Sequence, residues 1–306
     1  MREYPQWTTI AYIQQEMERD PDFLPCIQAL EEIRVVSILP EKCSWSDWVE
    51  KSTNGTHKTE RELLEGLLKE KRIMLPQTLI LVGTERFYKA AGDLDVATLV
   101  YADPHLPYQD YTGAPMVVEG FAEIGETFLR HQYERYHDIP WRVMETERCY
   151  IRELALSDID ALFHLYKQPH ITDYIEPLFE REKEIEYQQT YIENIYRFYG
   201  FGMWLIFDKT DDSLIGRAGI EVKDYPEGAV IELGYIITPE RQRQGYATEV
   251  CREILRYARE EEGITEVHCL IEPKNKASVF FIQSLGFVEM GKMHMDGQDF
   301  EHYIYH

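Results

Sequence analysis

Residues 231–249, with the sequence IELGYIITPERQRQGYATE, decide the fold of the C-terminal half of this chain. The apolar, β-branched run at 231–238 predicts a strand, and the amphipathic pattern after Gly245 predicts a helix. The first N–H groups of a helix have no partner within it, and the helix dipole favours an anion beside them. A glycine at that point lets the backbone approach a ligand closely. The stretch therefore predicts a strand, a phosphate-binding turn and a helix.

Taken alone, this stretch also fits an ordinary strand–turn–helix in which Arg241 and Arg243 are simply solvated. The order Gln-x-x-Gly-x-Ala at 242–247 nevertheless resembles the acyl-CoA pyrophosphate loop of the GNAT acetyltransferase superfamily. Residues 272–278, EPKNKAS, and the Leu-Gly-Phe at 285–287 lie where this superfamily has its last helix and the turn after it. Two motifs in the same order as in the superfamily favour the resemblance over the ordinary interpretation.

A third segment supports the same family. Residues 147–154 predict a strand, and residues 157–162 predict an N-capped helix, a pair that resembles the opening of the RimJ/RimL-like branch. The resemblance covers roughly residues 147–306 and implies an α/β GNAT fold, a mixed central sheet flanked by helices. Predicted strands lie near 149–154, 202–209, 214–223, 229–238, 266–272, 287–294 and 301–305, and predicted helices near 157–167, 182–199, 245–261 and 276–285.

The resemblance implies acetyl-CoA as cosubstrate and no metal. Backbone N–H groups of the loop would hold the pyrophosphate, main-chain groups of the preceding strand would bind the pantetheine and polarise the acetyl carbonyl, and an asparagine would approach from the last helix. The implied cofactor-binding residues are Ile236, Ile237, Thr238, Gln242, Arg243, Gln244, Gly245, Tyr246, Ala247, Thr248 and Asn275.

Glu232 is the candidate general base. An amine acceptor is mostly protonated at neutral pH, so that a base must remove a proton, and burial of an acid in an apolar strand raises its pKa towards the useful range. A structural ion pair with a neighbouring arginine explains Glu232 equally well, and Asp299, Glu301 and His302 are alternative bases.

The proton donor departs from the pattern of many GNAT enzymes. The position where they carry a tyrosine, seven residues after the asparagine, is Ile282 here. The RimJ/RimL-like branch instead implies Ser278, whose hydroxyl would face the CoA sulfur. A role of Ser278 in satisfying the helix N-terminus is the alternative.

The aromatic stretch between residues 187 and 204 suggests a wall for an amine cation. Its candidate acceptor-binding residues are Tyr191, Tyr199 and Trp204. Aromatic residues at this density also occur as ordinary core, and core packing is the alternative interpretation for most of the stretch.

Composition excludes several classes. The formal net charge of −23 disfavours nucleic acid as a partner. No apolar run approaches the ~20 residues that span a bilayer, and residues 1–7 lack the apolar core of a signal peptide, which predicts a cytoplasmic protein without a membrane partner. The five cysteines are scattered, and the ten histidines form no spaced metal set. The sequence gives no indication of the oligomeric state.

Residues 1–140 are expected to form a separate domain, helical over its first ~60 residues and then Rossmann-like. Strands at 78–84 and 96–101 flank a short helix, and this βαβ pattern weakly resembles haloacid dehalogenase-like hydrolases. No Asp-x-Asp-x-Thr is present, and Gly83-Thr84-Glu85 replaces the expected acidic motif. We therefore expect a degenerate, non-catalytic module.

The sequence thus predicts an N-acetyltransferase that transfers an acetyl group from acetyl-CoA to an amine by direct attack. The acceptor stays open among a protein N-terminus, a polyamine, an amino sugar and a small amino compound. A non-enzymatic acyl-CoA-binding regulator is the first alternative. A two-headed enzyme with a phosphatase in its N-terminal half is the second, and the missing acidic motifs argue against it.

Overall fold

The structure is a computed structural model that describes residues 5–53, 58–226, 228–295 and 297–306. Its internal contacts divide the chain into two compact units, on either side of the bond between Ile139 and Pro140. No helix among the described residues is both long and apolar enough to cross a bilayer.

The N-terminal unit is built on a five-stranded sheet in the order β2-β1-β3-β4-β5. Every neighbouring pair is parallel. Its strands are β1 (Thr9–Tyr12), β2 (Arg34–Ser37), β3 (Thr78–Val82), β4 (Ala97–Tyr101) and β5 (Val117–Val118). Its helices are α1 (Gln14–Met17), α2 (Phe23–Gln28), α3 (Trp45–Thr53), α4 (Glu60–Glu70), α5 (Glu85–Gly92) and α6 (Glu126–Tyr136).

Alternate residues from Ile10 to Ile13, in β1 and directly after it, enter two different cores. Ala11 and Ile13 pack with α3, α4 and α5, whereas Ile10 and Tyr12 pack with α1, α2 and α6. Successive side chains of a strand point to opposite faces, so helices cover both sides of this sheet. The unit is therefore a doubly wound, Rossmann-like α/β layer structure.

The expectation that the first ~60 residues are mostly helical is wrong. They contain β1 and β2, which the pattern analysis missed. All four residues of β1 are buried, and a strand buried on both faces shows no polar–apolar alternation. The later strands and helices of this unit lie where they were expected.

The buried carboxylate of Glu16, which follows β1, is hydrogen-bonded to the loop at the carboxyl end of β3. Glu16 Oε2 accepts the Gly83 N–H at 3.0 Å, and Oε1 accepts the Thr84 hydroxyl at 3.1 Å. The side chain also accepts a backbone bond from Trp45. Burial raises the pKa of Glu16 to about 7, although these hydrogen bonds oppose the shift. Folds of this kind bind ligands at the carboxyl ends of the strands. In this protein the Glu16 carboxylate lies there and accepts hydrogen bonds from the surrounding loops.

The C-terminal unit contains an eight-stranded sheet in the order β12-β13-β11-β10-β9-β8-β7-β6. Only the β10–β11 pair is parallel. The strands are β6 (Arg142–Glu145), β7 (Cys149–Arg152), β8 (Met203–Asp208), β9 (Leu214–Tyr225), β10 (Gly228–Ile237), β11 (Val267–Ile271), β12 (Val288–Met295) and β13 (Gln298–Tyr305). The helices are α7 (Ile159–Tyr166), α8 (Arg181–Tyr191), α9 (Arg197–Tyr199), α10 (Tyr246–Glu260) and α11 (Lys276–Leu285).

This order of elements confirms the expected GNAT fold, with two differences. The predicted domain began at residue 147, but β6 lies upstream of that point and pairs with β7. The single helix expected at 182–199 is interrupted, because Ile192–Tyr196 form a π-helical turn between α8 and α9. Such turns widen a helix locally and occur often at functional sites.

We predict that Glu16→Gln removes a pH dependence of stability in the N-terminal unit. The folded state binds the Glu16 proton more tightly than the unfolded chain, because the pKa rises from 4.5 to about 7 on folding. The contribution, about 3 kcal/mol, is complete below pH 4.5 and is lost as the pH rises through 7. Urea unfolding at pH 5 and pH 8, followed by tryptophan fluorescence, measures it. The exposed Glu18→Gln is the matched control, and an equal pH dependence in Glu16→Gln and the wild type would contradict the assignment.

Candidate active site

The site is organised by a gap in the central sheet. The parallel strands β10 and β11 are paired at one position only, Glu232 with His268. Beyond that pair β10 continues to Ile237, bonded on its other edge to β9. The strands therefore separate towards their carboxyl ends, where a main-chain edge of β10 is left facing the gap.

The main chain of Ile237 faces this gap. Thr238 N–H bonds to Ile215 O on β9 at 2.8 Å. Because successive main-chain groups of a strand point to opposite edges, the N–H and C=O of Ile237 point towards β11. The carbonyl of Ile237 accepts the Gln242 side-chain amide at 2.9 Å, so the N–H is the group that remains for a ligand.

Two of the three predicted pantetheine positions are not supported by this geometry. Ile236 lies opposite Arg217 in the β9 ladder, and its main chain points to β9. Thr238 uses its N–H on β9, and its carbonyl accepts the N–H groups of Arg241 and Gln242. The sequence showed an apolar run but not which of its residues face which edge.

The turn after β10 presents unpaired N–H groups to solvent. Arg243 and Gly245 both have positive φ, at 58° and 86°, and Gly245 is the N-cap of α10 without a side-chain capping bond. The first-turn N–H groups of α10, from Tyr246 to Thr248, thus open onto the end of the gap. A 15-residue helix adds its dipole to these donors.

The two arginines of the turn have different surroundings, because Arg241 is paired with carboxylates and Arg243 is exposed. The Arg241 guanidinium lies 3.1 Å from Asp208 and 3.4 Å from Asp211, so its charge is already neutralised. Arg243 is exposed and makes no ion pair in the described ranges. The Tyr246 side chain is buried and donates to Asp208 at 3.0 Å, which leaves only its main chain for a ligand. The N–H and hydroxyl of Thr210 donate to the Asp208 carboxylate, and together with Arg241 they keep the pKa of this carboxyl low.

An arginine that the sequence analysis did not single out supports the turn. Arg148 Nε bonds to Glu249 at 2.7 Å, and Nη1 bonds to Gln244 O at 3.0 Å. Its guanidinium also lies 4.0 Å from the centre of the Tyr246 ring. Gln244 itself bonds back to the Glu240 carbonyl at 2.5 Å. These contacts hold the turn in shape before any ligand binds.

On one face of the sheet, two hydroxyls meet at the gap. The Tyr235 hydroxyl is hydrogen-bonded to the Ser278 hydroxyl. Asn275 caps α11 by accepting the Ser278 N–H at 3.1 Å, which fixes the first turn that carries the serine. Burial raises the pKa of Tyr235, which stays protonated at neutral pH. Tyr235 was not predicted, although it lies within the stretch that decided the fold.

On the other face, Glu232 is itself the residue of β10 that pairs with β11, at the point where the gap begins. It is half-buried and accepts the Tyr225 hydroxyl at 2.6 Å. Burial raises the pKa of Glu232, whereas the bond from Tyr225 and the charge of Lys223 oppose the increase. No arginine pairs with Glu232 among the described residues, so the structural ion pair considered from the sequence is not present. Tyr225, which the sequence analysis missed, is the group that orients the carboxylate.

The three predicted acceptor residues are not brought together. Tyr191 is 5% exposed and lies on the Glu232 face, where its hydroxyl donates to Glu221 at 2.5 Å and accepts the Met203 N–H at 2.8 Å. Trp204 is fully buried and packs edge-on against Tyr257 of α10. Tyr199 is half-buried and lines a shallow groove at the end of the π-helical segment.

Trp204 is therefore core, and only Tyr191 stands close to the candidate base. Glu221, bonded to Tyr191, is the direct cross-strand neighbour of Glu232. The aromatic stretch runs from α8 through the π-helical turn and α9 into β8, so its side chains are divided among different elements of the fold. Across the described ranges there is no group of three His, Cys, Asp or Glu residues that could hold a metal ion.

Comparison with known proteins places these features in a family. Residues 148–288 match the profile of the acetyltransferase (GNAT) domain. The Bacillus subtilis protein YkkB is 28% identical over 142 residues, which are 46% of this chain and 82% of YkkB. The Bacillus subtilis protein YoaA, described as an uncharacterized N-acetyltransferase, is 25% identical over 169 residues, 53% of this chain and 94% of its own length.

Among solved structures, an acetyltransferase from Agrobacterium tumefaciens is 23% identical and has a TM-score of 0.44, covering 53% of this chain and 93% of that one. The profile match begins at β7 and includes β10 and β11, which form the gap, together with the turn and α11. The C-terminal half of this chain therefore contains a GNAT acetyltransferase domain.

Proposed function

We propose that this protein transfers the acetyl group of acetyl-CoA to an amine by direct attack, with Glu232 as general base and Tyr235, through its pair with Ser278, as proton donor. The domain assignment supports N-acetyltransferase activity in general. The observation that carries the residue assignment is that the carboxylate and the hydroxyl pair flank one gap from opposite faces of β10.

Acetyl-CoA would be held mainly by main-chain groups. The turn at 243–248 offers N–H donors and the positive end of α10 to the pyrophosphate, with Arg243 as an additional cation. The pantetheine would extend along the open edge of β10. The Ile237 N–H would then donate to the acetyl carbonyl and stabilise the negative charge that develops on it.

The reaction then needs three proton transfers. Glu232 accepts a proton from the ammonium form of the acceptor, and the neutral amine attacks the carbonyl carbon of the thioester. The attacking nitrogen then releases its second proton to water, the C–S bond breaks as the tetrahedral intermediate collapses, and the leaving thiolate takes a proton from Tyr235. Ser278 holds the tyrosine hydroxyl at the gap. Separation by the sheet keeps the base from taking the proton intended for the sulfur.

A non-enzymatic acyl-CoA-binding regulator remains the competing function. It would need the turn but neither Glu232 nor Tyr235. Free thiol release from acetyl-CoA, measured with a panel of amines, separates the two. Cofactor binding without transfer to any amine would favour the regulator.

Acetyl-CoA is predicted to raise the melting temperature through the turn. Gly245→Pro should abolish the shift, because proline cannot adopt a φ of 86° and removes an N–H from the turn. Gly263→Pro is the matched control, since Gly263 also has a positive φ but follows the other end of α10. An unmoved melting curve in the wild type at saturating acetyl-CoA would overturn the proposed cofactor site.

Replacement of the base and of its partner should have different effects. Glu232→Gln should lower kcat by roughly 10²-fold without changing the melting shift, because the cofactor is bound elsewhere. Tyr225→Phe removes a hydrogen bond that favours the ionised carboxylate, so it should raise the pKa of Glu232. Since the base acts when deprotonated, the acidic limb of the kcat/KM profile should move to higher pH.

A second tyrosine–carboxylate pair provides the control for this profile. The Tyr303 hydroxyl donates to Glu301 at 3.1 Å, and Glu301 is an alternative base. If Tyr303→Phe moves the acidic limb and Tyr225→Phe does not, the base is Glu301 rather than Glu232.

Tyr235→Phe should lower kcat by about 10-fold or more, because the thiolate then leaves without its proton donor. The loss should shrink with an acetyl thioester whose thiol is more acidic, since that thiolate needs less protonation. Tyr257→Phe, which removes another half-buried hydroxyl on α10, is the control. A loss that is equal for both thioesters would show that Tyr235 has a structural role only.

A further inference from the structure

An arginine on the acceptor face of the sheet is buried without an anion. Arg217, on β9, is 6% exposed. Over the ranges that the structure describes, no carboxylate lies within ion-pair distance of its guanidinium, and its Nε has no hydrogen-bond partner. Its one side-chain hydrogen bond is a long one, 3.4 Å from Nη1 to the Tyr166 hydroxyl.

The side chains that contact this cation belong to tyrosines. The guanidinium lies 5.9 Å from the centre of the Tyr191 ring, and Tyr196 also raises the pKa of Arg217 by its proximity. Gln188, fully buried one turn before Tyr191 on α8, has a side-chain oxygen without a partner. Among the described residues, a buried donor on β9 and a buried acceptor on α8 are thus both unsatisfied.

Unpaired buried charges are costly, because the interior offers no replacement for water. Proteins bury arginine where it meets a carboxylate or phosphate, often through two parallel hydrogen bonds. This protein supplies neither within the described ranges, so an anionic group of a ligand is the partner that the site lacks.

Arg217 stands on the same face as the candidate base. It is the cross-strand neighbour of Ile236, and Glu221 on the same strand is the neighbour of Glu232. Tyr191 contacts both Arg217 and Glu221, which fixes the shared face. The pyrophosphate-binding turn belongs to the start of α10, so the anion that Arg217 lacks belongs to the acceptor and not to CoA.

We infer that the acceptor is an amine that carries a carboxylate, with the amine at Glu232 and the carboxylate at Arg217. This inference rests on the proposed function and names its substrate class. Four residues separate the rows of Glu232 and Ile236, roughly 13 Å along the strand before the two long side chains shorten the span. The amine and the carboxylate are therefore several bonds apart, as in an ω-amino acid or a short peptide.

The charge of the protein agrees with such an acceptor. A zwitterion has no net charge, so the field of a protein with a formal charge of −23 does not repel it as it would a simple carboxylate. The π-helical turn at Ile192–Tyr196 directly follows Tyr191 and contains Tyr196, two of the residues that cover Arg217. A shift of this turn is the movement that would admit the carboxylate.

The test compares two amines that differ by one carboxylate. With saturating acetyl-CoA, 5-aminopentanoate should give a kcat/KM at least roughly 10-fold above that of pentylamine, the scale of one charge-assisted contact. Arg217→Met should reduce this ratio to about one, and Arg217→Lys should retain part of it. Lys223→Met, which removes an exposed cation paired with Glu221 on the same strand, should leave the ratio unchanged.

Binding of the acceptor is measured separately from acetyl transfer, by the melting temperature. In the presence of CoA, 5-aminopentanoate should raise the melting temperature of the wild type but not that of Arg217→Met, whose own shift with acetyl-CoA shows that it is folded. A wild-type preference for pentylamine, or a ratio unaltered in Arg217→Met, would overturn the inference. A carboxylate-dependent melting shift without thiol release would instead support the Arg217 site and contradict the proposed transfer.

Discussion

The separation of β10 from β11 is the constraint on which the rest of the C-terminal unit depends. A fully paired sheet would use the Ile237 main chain in a ladder and would leave no passage between its two faces. Here the pairing ends at Glu232 and His268, and β9 holds the other edge of β10 over ten registered positions. Backbone geometry, not side-chain chemistry, creates the proposed place for a thioester.

This gap also explains why the acid and the base can have opposite tasks. Glu232 and Tyr235 are three residues apart on one strand, so their side chains point to opposite faces. Burial raises the pKa of both groups, but with different consequences. The carboxyl becomes a better proton acceptor near neutral pH, and the phenol remains a proton donor. One strand therefore carries both groups of the proposed acid–base pair, and the sheet separates them.

The sequence predicted the C-terminal fold well because its strands and helices have strong periodic patterns. The run at 231–249 identified β10, the turn and the start of α10. The pattern could not show to which face of the sheet each side chain points. The roles of Tyr235 and Tyr225 could be inferred only when the register of β9 with β10 and the position of α11 were known. The same limit made Trp204 look like an acceptor residue, although it faces α10.

The N-terminal strands β1 and β2 were missed for a related reason. Pattern analysis detects a strand by its alternation, and a short strand buried on both faces has none. The degenerate character of this module was inferred from missing acidic motifs. The structure adds a different fact, since the carboxylate of Glu16 occupies donors at the carboxyl ends of the strands.

The buried charged groups of this protein fall into two classes, those with partners in the described part of the chain and those without. Asp208 is buried but bonded to Thr210, Tyr246 and Arg241, and Glu16 is buried but accepts three donors; each is satisfied within the chain. Arg217 is buried to a similar degree and has no anion among the described residues. Satisfied groups account for the fold, because removing a partner would expose an unpaired charge to the interior. The unsatisfied one makes only a long hydrogen bond to Tyr166 and a contact with the Tyr191 ring among the described residues, and the anion of the proposed ligand would offset its cost. That asymmetry is the physical reason to look for substrate specificity at Arg217 rather than at the exposed arginines of the turn.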